Sequence, residues 1–331
     1  MRLMKTSNLA VIGAGISGLI CATTLAERGW RVTVFEKSRG VGGRMAVRRT
    51  DQGMAFDHGA QYFTVRDDRF AAAVAAGQRN GVIAPWAGRI DVVGNDRIEP
   101  GGDETPRFIG VPGMNALCKQ LALGLEVRCQ TKVSPPQRVD GVWRIHDEQG
   151  ALLGNFDHVV ISTPSPQAAD LLAEAPQLAQ RARGVAMQPC WTVMLAFEGK
   201  IDVEFDGAFV HNSSLSWICR NSSKPKRSNH LETWVIHAGV EWSSNHIHYE
   251  AAFALEHLLA AFWETLREAP QTPRFAAAHL WRYARPSEPL IDFCMIDPDL
   301  GLGVCGDWCG GSRVESAFLS GLEIAERLLH T

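Results

Sequence analysis

The chain has 331 residues, of which 46% are hydrophobic and 21% charged, with a formal net charge of -3. That length accommodates two domains of ordinary size, and the balance is that of a globular chain rather than a disordered one. The small negative charge gives no electrostatic reason to expect nucleic acid as a partner.

Leu9 to Ala26 is almost continuously apolar and follows Arg2 and Lys5, an opening that superficially resembles a signal peptide. Three glycines inside the run and the charged strand that follows argue against that reading. No other stretch reaches bilayer-spanning length, so a soluble, cytoplasmic protein without a membrane partner is expected. Asn8 to Ile12 is predicted as a short buried strand, and Ile16 to Arg28 as a helix that stops at Gly29. Arg31 to Phe35 follows as a second strand, where Val32 and Val34 favour the pleat. This βαβ opening implies a parallel sheet covered by helices.

Further along, Arg66 to Gly77 is predicted as a helix, and Val82 to Val93 as strands around a turn with Pro85 interrupting. Met114 to Leu123 is a helix between two glycines. From Leu125 to Ser162 short strands alternate with turns at Asp140-Gly141 and Gln149-Gly150, ending on the buried run Val159-Val160-Ile161. Gln167 to Arg183 is predicted helical, residues 190–240 as strands, and Glu250 to Arg267 as a helix. The basic run Lys224-Pro225-Lys226-Arg227 reads as a solvated loop. Gly303-Val304-Cys305 is a last strand and Val314 to Leu329 a last helix. The expected fold is α/β. A discontinuous Rossmann-like nucleotide-binding domain (residues 1–65, 100–165 and 295–331) holds an inserted α+β substrate domain (66–99 and 166–294).

The eight cysteines are scattered without a CxxC pair, which predicts reduced, mostly buried thiols. Cys305 and Cys309 lack a second pair of ligands. His246-x-His248 lacks a third ligand and reads as two histidines on one strand or loop face, so no metal is expected.

Gly13-Ala14-Gly15-Ile16-Ser17-Gly18 is GxGxxG placed between a predicted strand and a predicted helix. The first glycine permits the turn, the second lets the backbone approach a pyrophosphate, and the third lets helix and strand pack closely. The helix N-terminus offers free N–H groups to the phosphates. Glu36, with Lys37 beside it, ends the second strand where a carboxylate can accept from ribose hydroxyls. Gly301 to Gly306 also spells GxGxxG, but it lies across a predicted strand and is discounted.

Five residues after Glu36 come Gly42-Gly43-Arg44, and here the chain resembles the flavin-containing amine oxidase superfamily, with its Glu-x5-Gly-Gly-Arg hallmark. The resemblance implies noncovalent FAD, an amine oxidase/p-hydroxybenzoate hydroxylase-like architecture, and Arg44 on the flavin side of the cofactor. Gly306-Asp307 and Val314-Glu315-x-Ala317-x-x-Ser320-Gly321 resemble the closing FAD motif of the same superfamily. It implies that Asp307 bonds the ribityl or phosphate region, and that the helix opening at Val314 faces the isoalloxazine carbonyl. Val133, in the strand expected after the central helix, would present backbone groups to the adenine.

Phe56-Asp57-His58-Gly59-Ala60-Gln61-Tyr62-Phe63-Thr64, after Gly42 to Met45, resembles the D-x-G-A-Q-Y-[FI]-T segment of the renalases. Val235-Ile236-His237 and Trp281-Arg282-Tyr283 extend the likeness more loosely. It implies oxidation of 2-dihydro- and 6-dihydro-NAD(P) to NAD(P)+, with electrons passed to O2 to give hydrogen peroxide. Gln61, Tyr62 and Thr64 would lie beside the flavin, and His237 would orient the substrate without being an obligatory base. A dihydronicotinamide expels hydride with no proton to remove, so a nearly base-free aromatic pocket suffices. The late lysine common in family amine oxidases is missing, since the last lysine is Lys226. Two alternatives stay open: a flavin amine oxidase acting on small amines, and a non-catalytic flavin redox sensor. Oligomeric state is not legible.

Overall fold

The computed structural model describes residues 6–94 and 97–330, so Arg2 and Lys5 lie outside the described residues. The chain opens with β1 (Asn8–Ile12), α1 (Ile16–Glu27) and β2 (Arg31–Phe35), and Gly29 ends the helix with a left-handed φ of 86°. A hairpin of β3 (Val47–Arg49) and β4 (Ala55–Asp57) follows, then α2 (Asp68–Arg79), whose first turn is capped by the Asp67 carboxylate accepting from Arg69 N. Next come β5 (Ile83–Pro85), β6 (Ile90–Gly94), β7 (Arg97–Pro100), β8 (Phe108–Gly110) and α3 (Ala116–Leu121). The strands expected around one turn therefore exist but part company: β5 pairs with β8, while β6 joins a larger sheet.

The strand-rich stretch is β9 (Glu126–Arg128), β10 (Gln137–Val139), β11 (Val142–His146), β12 (Leu152–Phe156) and β13 (His158–Ile161). Asp140 and Gly141 both take positive φ, the requirement of the tight hairpin turn that links β10 to β11. The single helix expected over 167–183 is two helices, α4 (Ser165–Leu171) and α5 (Pro176–Arg183). Pro176 has no N–H to continue the first, and it serves as the first residue of the second. The remaining elements are β14 (Met187–Phe197), β15 (Gly207–Val210), β16 (Leu215–Arg220), β17 (Glu232–Ala238), α6 (Val240–Asn245), α7 (Ala251–Leu266), β18 (Phe275–Pro286), β19 (Cys294–Asp297), β20 (Leu302–Cys305) and α8 (Val314–Leu329).

Two sheets organise them. A six-stranded sheet has the order β19-β20-β13-β1-β2-β9, parallel except for β19. Leu9 and Val11 pack into one core and Ala10 and Ile12 into another, which is why β1 reads as a continuous apolar run. The strand order reverses at β1, with β2 on one side and β13 on the other, so a crevice opens beyond its carboxyl end. α1 and α8 cover one face in close contact: a Cβ on Gly321 would stand 2.0 Å from the Ser17 carbonyl oxygen.

The second sheet has seven strands in the order β18-β14-β17-β16-β15-β6-β7. Its odd–even alternation sends Val193, Leu195, Trp234 and Ile236 under α7, and Met194, Ala196 and Val235 toward Phe56 of the hairpin. Segment 66–99, expected whole in the substrate domain, divides. α2 packs on α8 through Phe70 and Phe318 (5.1 Å between ring centroids), while β6 and β7 join the seven-stranded sheet. Among the described residues, no helix is long and apolar enough to cross a membrane.

Candidate functional site

A cleft of about 1680 Å³ runs from the carboxyl end of β1 to the seven-stranded sheet. Small-ligand pockets enclose roughly 300–1000 Å³, so this one has room for a large cofactor and a substrate together. Gly13 and Gly18 are packing glycines, because added Cβ atoms would lie 2.4 Å from Ser162 O and 2.2 Å from Gly13 O respectively. Gly15 is different: its Cβ would meet nothing within 4 Å, which leaves the backbone open where an anion approaches. It is the N-cap of α1 and has no side-chain cap, so the free N–H groups of the first turn remain available. Ile16 and Ser17 line the cleft with Gly13 and Gly15, whereas Ala14 and Gly18 lie behind them.

Glu36 holds this loop in shape. One carboxylate oxygen accepts from Ala14 N and the other from Ser38 N, each at 2.8 Å. A carboxylate offers about four acceptor positions, so lone pairs remain for two ribose hydroxyls. Lys37 and Val133 also line the cleft. Val133 departs from expectation, since it lies in coil beyond β9 and forms only an isolated bridge with Asp147. Ser134-Pro135-Pro136 explains this, because proline cannot donate to a strand ladder.

Arg44 reaches across the cleft floor. Its Nη1 and Nη2 donate to the two oxygens of Asp307 at 2.7 and 2.6 Å, and Nη1 also donates to Ala284 O at 3.1 Å. The Gly42-Gly43 turn, with φ of 124° and 52°, delivers the arginine, and Gly42 N donates to Ala14 O at 2.9 Å. Asp307 follows β20, where Gly306 N donates to the buried Ser320 Oγ of α8 at 2.8 Å. Val314 and Ala317 of α8 line the same cleft. Glu315 turns away, accepting from Arg66 N and Asp67 N at 2.6 and 2.8 Å.

Opposite this cradle stands a wall formed by His58-Gly59-Ala60 and the near face of the seven-stranded sheet. Gln61, Tyr62 and Thr64 are not in it. They sit behind the turn, where Gln61 accepts from Lys224 Nζ at 3.1 Å and the Tyr62 ring packs against Trp217 and Trp86. The basic run at 224–227 is likewise not a solvated loop. Only Lys226 is exposed; the side chains of Lys224, Arg227 and Asp57 are 0%, 2% and 0% exposed. Arg227 and Lys224 contact Asp57 Oδ2 at 2.6 and 3.3 Å. Burial alone would raise the Asp57 carboxyl, but the two cations and the Met114 N–H outweigh it and hold it below the usual carboxylate range. This cluster braces the turn that carries His58.

Histidines dominate the wall. Thr192 of β14 lies opposite both His237 of β17 and His279 of β18, and Trp217 of β16 lies opposite His237. His58 closes on this row: its ring lies 5.1 Å from His279 and 4.8 Å from Trp281, and its carbonyl accepts from Trp281 Nε1 at 2.9 Å. The His58 backbone lies beside the His237 imidazole, whose Nε2 is buried without a hydrogen-bond partner among the described residues. Burial, reinforced by His279, lowers His58 to about 4. Burial also lowers His237 to about 4, and burial together with Arg48 lowers His279. All three are neutral imidazoles at pH 7.

Carboxylates in the cleft are Glu36, Glu148, Asp170 and Asp307. Glu36 is held by backbone, Glu148 by Lys132 and Asp307 by Arg44, while Asp170 lies exposed on α4. Among the described residues, none stands on the histidine wall.

Residues 91–329 match the flavin containing amine oxidoreductase family, and residues 11–75 match a NAD(P)-binding Rossmann-like domain. The chain belongs to the flavin containing amine oxidoreductase family. It is 44% identical over 71 residues to 4,4'-diapophytoene desaturase (4,4'-diaponeurosporene-forming) of Staphylococcus haemolyticus (strain JCSC1435), a match covering 22% of this chain and 14% of that enzyme. The Staphylococcus aureus (strain Newman) enzyme of the same name is 51% identical over 51 residues, covering 15% of this chain and 10% of its own length. Curated relatives are thus matched only over a small part of their length. Among solved structures, a protein provisionally assigned as a protoporphyrinogen oxidase from Exiguobacterium sp. 255-15 superposes with a TM-score of 0.79 at 14% identity, covering 99% of this chain and 100% of that one. Cyclohexylamine oxidase from Brevibacterium oxydans IH-35A gives 0.75 at 12% identity, covering 98% and 99%. At these identities the likeness shows the fold alone.

This flavin oxidoreductase takes FAD as its cofactor, and its residues fit that group. The open backbone at Gly15, the uncapped helix behind it and the Glu36 carboxylate meet the needs of a pyrophosphate and a ribose. All eight cysteines are free, six of them buried. His246 caps α6 and stacks on Trp242 at 4.3 Å, placing it in a loop and not a strand. Sequence reasoning missed His58 and His279 as wall residues. Their signal was the position of His58 between Asp57 and Gly59, and the period-two spacing of His279 with Trp281.

Replacing Glu36 with Ala removes charge-assisted hydrogen bonds worth roughly 1.5–3 kcal/mol each. The purified variant should lose most of its FAD on dilution and gel filtration, and full retention would contradict the assignment. The neutral histidines predict a pH dependence. Their folded values lie below the ordinary 6.5, so the unfolded chain binds protons that the folded one refuses. Stability should fall as pH drops from about 6.5 to about 4. In urea melts across that window, His237→Asn should flatten the slope; an unchanged slope would show that His237 is not held neutral.

Proposed function

We propose that this chain is an FAD-dependent oxidase of misreduced dihydronicotinamide dinucleotides, the 2-dihydro and 6-dihydro isomers of NAD(P)H. The observation that carries the reading is the wall itself: neutral histidines and aromatic rings, with arginines near them and no carboxylate. An amine arrives mostly as an ammonium ion, and recognising it calls for a carboxylate or an aromatic cage free of neighbouring cations. Arg48, close enough to depress both His58 and His279, makes this wall unfavourable for a cation. A dinucleotide carries negative charge on its phosphates, and its dihydropyridine ring is uncharged.

FAD, when bound, would supply the hydride acceptor, and its reoxidation by O2 would account for hydrogen peroxide. The substrate ring loses hydride and becomes the pyridinium of NAD(P)+, so no protein base is required. His237 orients the ring through a neutral imidazole. Gln61 acts from behind, its Nε2 donating to Gly59 O at 3.0 Å to fix the His58-Gly59-Ala60 turn, with Tyr62 packed beside it on Trp86 and Trp217. Burial of the wall keeps water from the reacting face. The cytoplasm is the compartment proposed, since dinucleotides are found there and eight free thiols suit a reducing environment.

Anaerobic stopped-flow mixing of the FAD-loaded protein with 2-dihydro-NAD tests the proposal, read as bleaching of the flavin band. Bleaching should be complete within seconds, while ordinary 4-dihydro-NADH and simple amines such as cyclohexylamine leave the band unchanged. Bleaching by an amine and not by any dihydronicotinamide would overturn the substrate reading and leave the fold and cofactor standing.

A further inference from the structure

The wall continues past the histidines in rows set by strand pairing. The first row is His279, Thr192 and His237. Next comes Trp281 opposite Cys190, then Arg285 opposite Gln188. Between these last two pairs the register shifts, so three residues of β18, Arg282 to Ala284, stand against the single Pro189 of β14. Such irregularities bend a strand and re-aim its side chains, and they gather beside active sites. Here the bulged stretch reaches the cradle, because Ala284 O accepts from Arg44 Nη1 at 3.1 Å. Tyr283, within the bulge, lines the cleft.

Arg285 stands one row beyond Trp281, roughly 7 Å along the sheet. Its Nε donates to Gln188 Oε1 at 2.9 Å, which orients the guanidinium without neutralising it. Its charge reaches the half-buried Cys190, whose thiol lines the cleft. Among the described residues no carboxylate lies within ion-pair distance of it, as is also true of Arg39, Arg48, Arg49 and Arg282 in the cleft, but of these arginines Arg285 is the one oriented by a side-chain hydrogen bond. An unpaired, oriented guanidinium one row from an aromatic, neutral pocket is a receptor for an anion tethered to a planar ring.

We propose that Arg285, held by Gln188, binds the phosphate of the substrate, and that the enzyme therefore acts on nicotinamide nucleotides in preference to the unphosphorylated riboside. The inference rests on the dihydronicotinamide reading and deepens it: the ring sits against His237 and Trp281, the ribose passes Tyr283, and the phosphate meets Arg285. A guanidinium suits the task because its fork of donors matches phosphate oxygens in pairs.

Two measurements on the FAD-loaded protein test it. In the first, ADP-ribose, which lacks the ring, is titrated by calorimetry into wild type, Arg285→Met and Arg285→Lys. Affinity should fall about tenfold in Arg285→Met and recover in part in Arg285→Lys, as expected for loss of one charge-assisted contact of about 1.4 kcal/mol. In the second, the KM for 2-dihydro-NAD should rise about tenfold more than the KM for 2-dihydronicotinamide riboside in Arg285→Met, with little change in the ratio of kcat values. No binding of ADP-ribose by wild type, or equal affinity in Arg285→Met, would overturn the proposal. So would equal KM shifts for nucleotide and riboside. If no dihydronicotinamide is oxidised, the functional reading fails by that result alone, and the calorimetry still decides whether Arg285 is an anion site.

Discussion

The Arg44–Asp307 pair is the contact on which the site depends. It joins residues 263 positions apart through two parallel hydrogen bonds, with the aspartate side chain only 9% exposed. Each partner is brought there by its own glycine: Gly42 turns the chain after β2, and Gly306 turns it after β20. Carboxylate and guanidinium share a planar fork geometry, so the pair fixes direction as well as distance. Because Arg44 also donates to Ala284 O, the same side chain ties β18 to the six-stranded sheet. Cradle and wall are thereby set at a fixed separation, and the cleft between them is a consequence of that bridge.

Charge is then distributed by burial. Where ions are needed for structure they are concentrated behind the wall, in the Asp57, Lys224 and Arg227 cluster, and each is compensated by its neighbours. Along the histidine row the imidazoles are held neutral by burial, and the charges near it, on Arg48 and Arg285, are cationic. Such rows donate and accept hydrogen bonds but offer no carboxylate to trap a cationic product. A ring that becomes cationic on losing hydride would leave such a wall more readily than one bearing a carboxylate.

Much of this was legible in the residues. GxGxxG between a strand and a helix, Glu36 after the second strand and the Gly-Gly-Arg turn are local patterns whose geometry follows from glycine and from chain direction, and the structure places them together. The closing Asp307 and α8 were legible for the same reason. What was not legible is long-range. Lys224 and Arg227 look like a solvated run because charge is read locally, and nothing local says that Asp57 is buried 167 positions earlier in the chain. Tyr62 and Thr64 follow a turn whose direction is set by that same cluster, so their position behind the wall could not be read from their spacing. The break between α4 and α5 lies at Pro176, a residue that cannot continue a helix but can open one.

The most direct test of this account is a double-mutant cycle on FAD affinity, measured by titrating the flavin-free protein with FAD. The variants are Arg44→Met, Asp307→Asn and the double change. If the pair is the bridge on which the cradle depends, the double variant should bind FAD about as weakly as either single one, with a coupling energy of roughly 1.5–3 kcal/mol. Losses that simply add would show that the two residues act on the cofactor independently, and would contradict the claim that this contact sets the site.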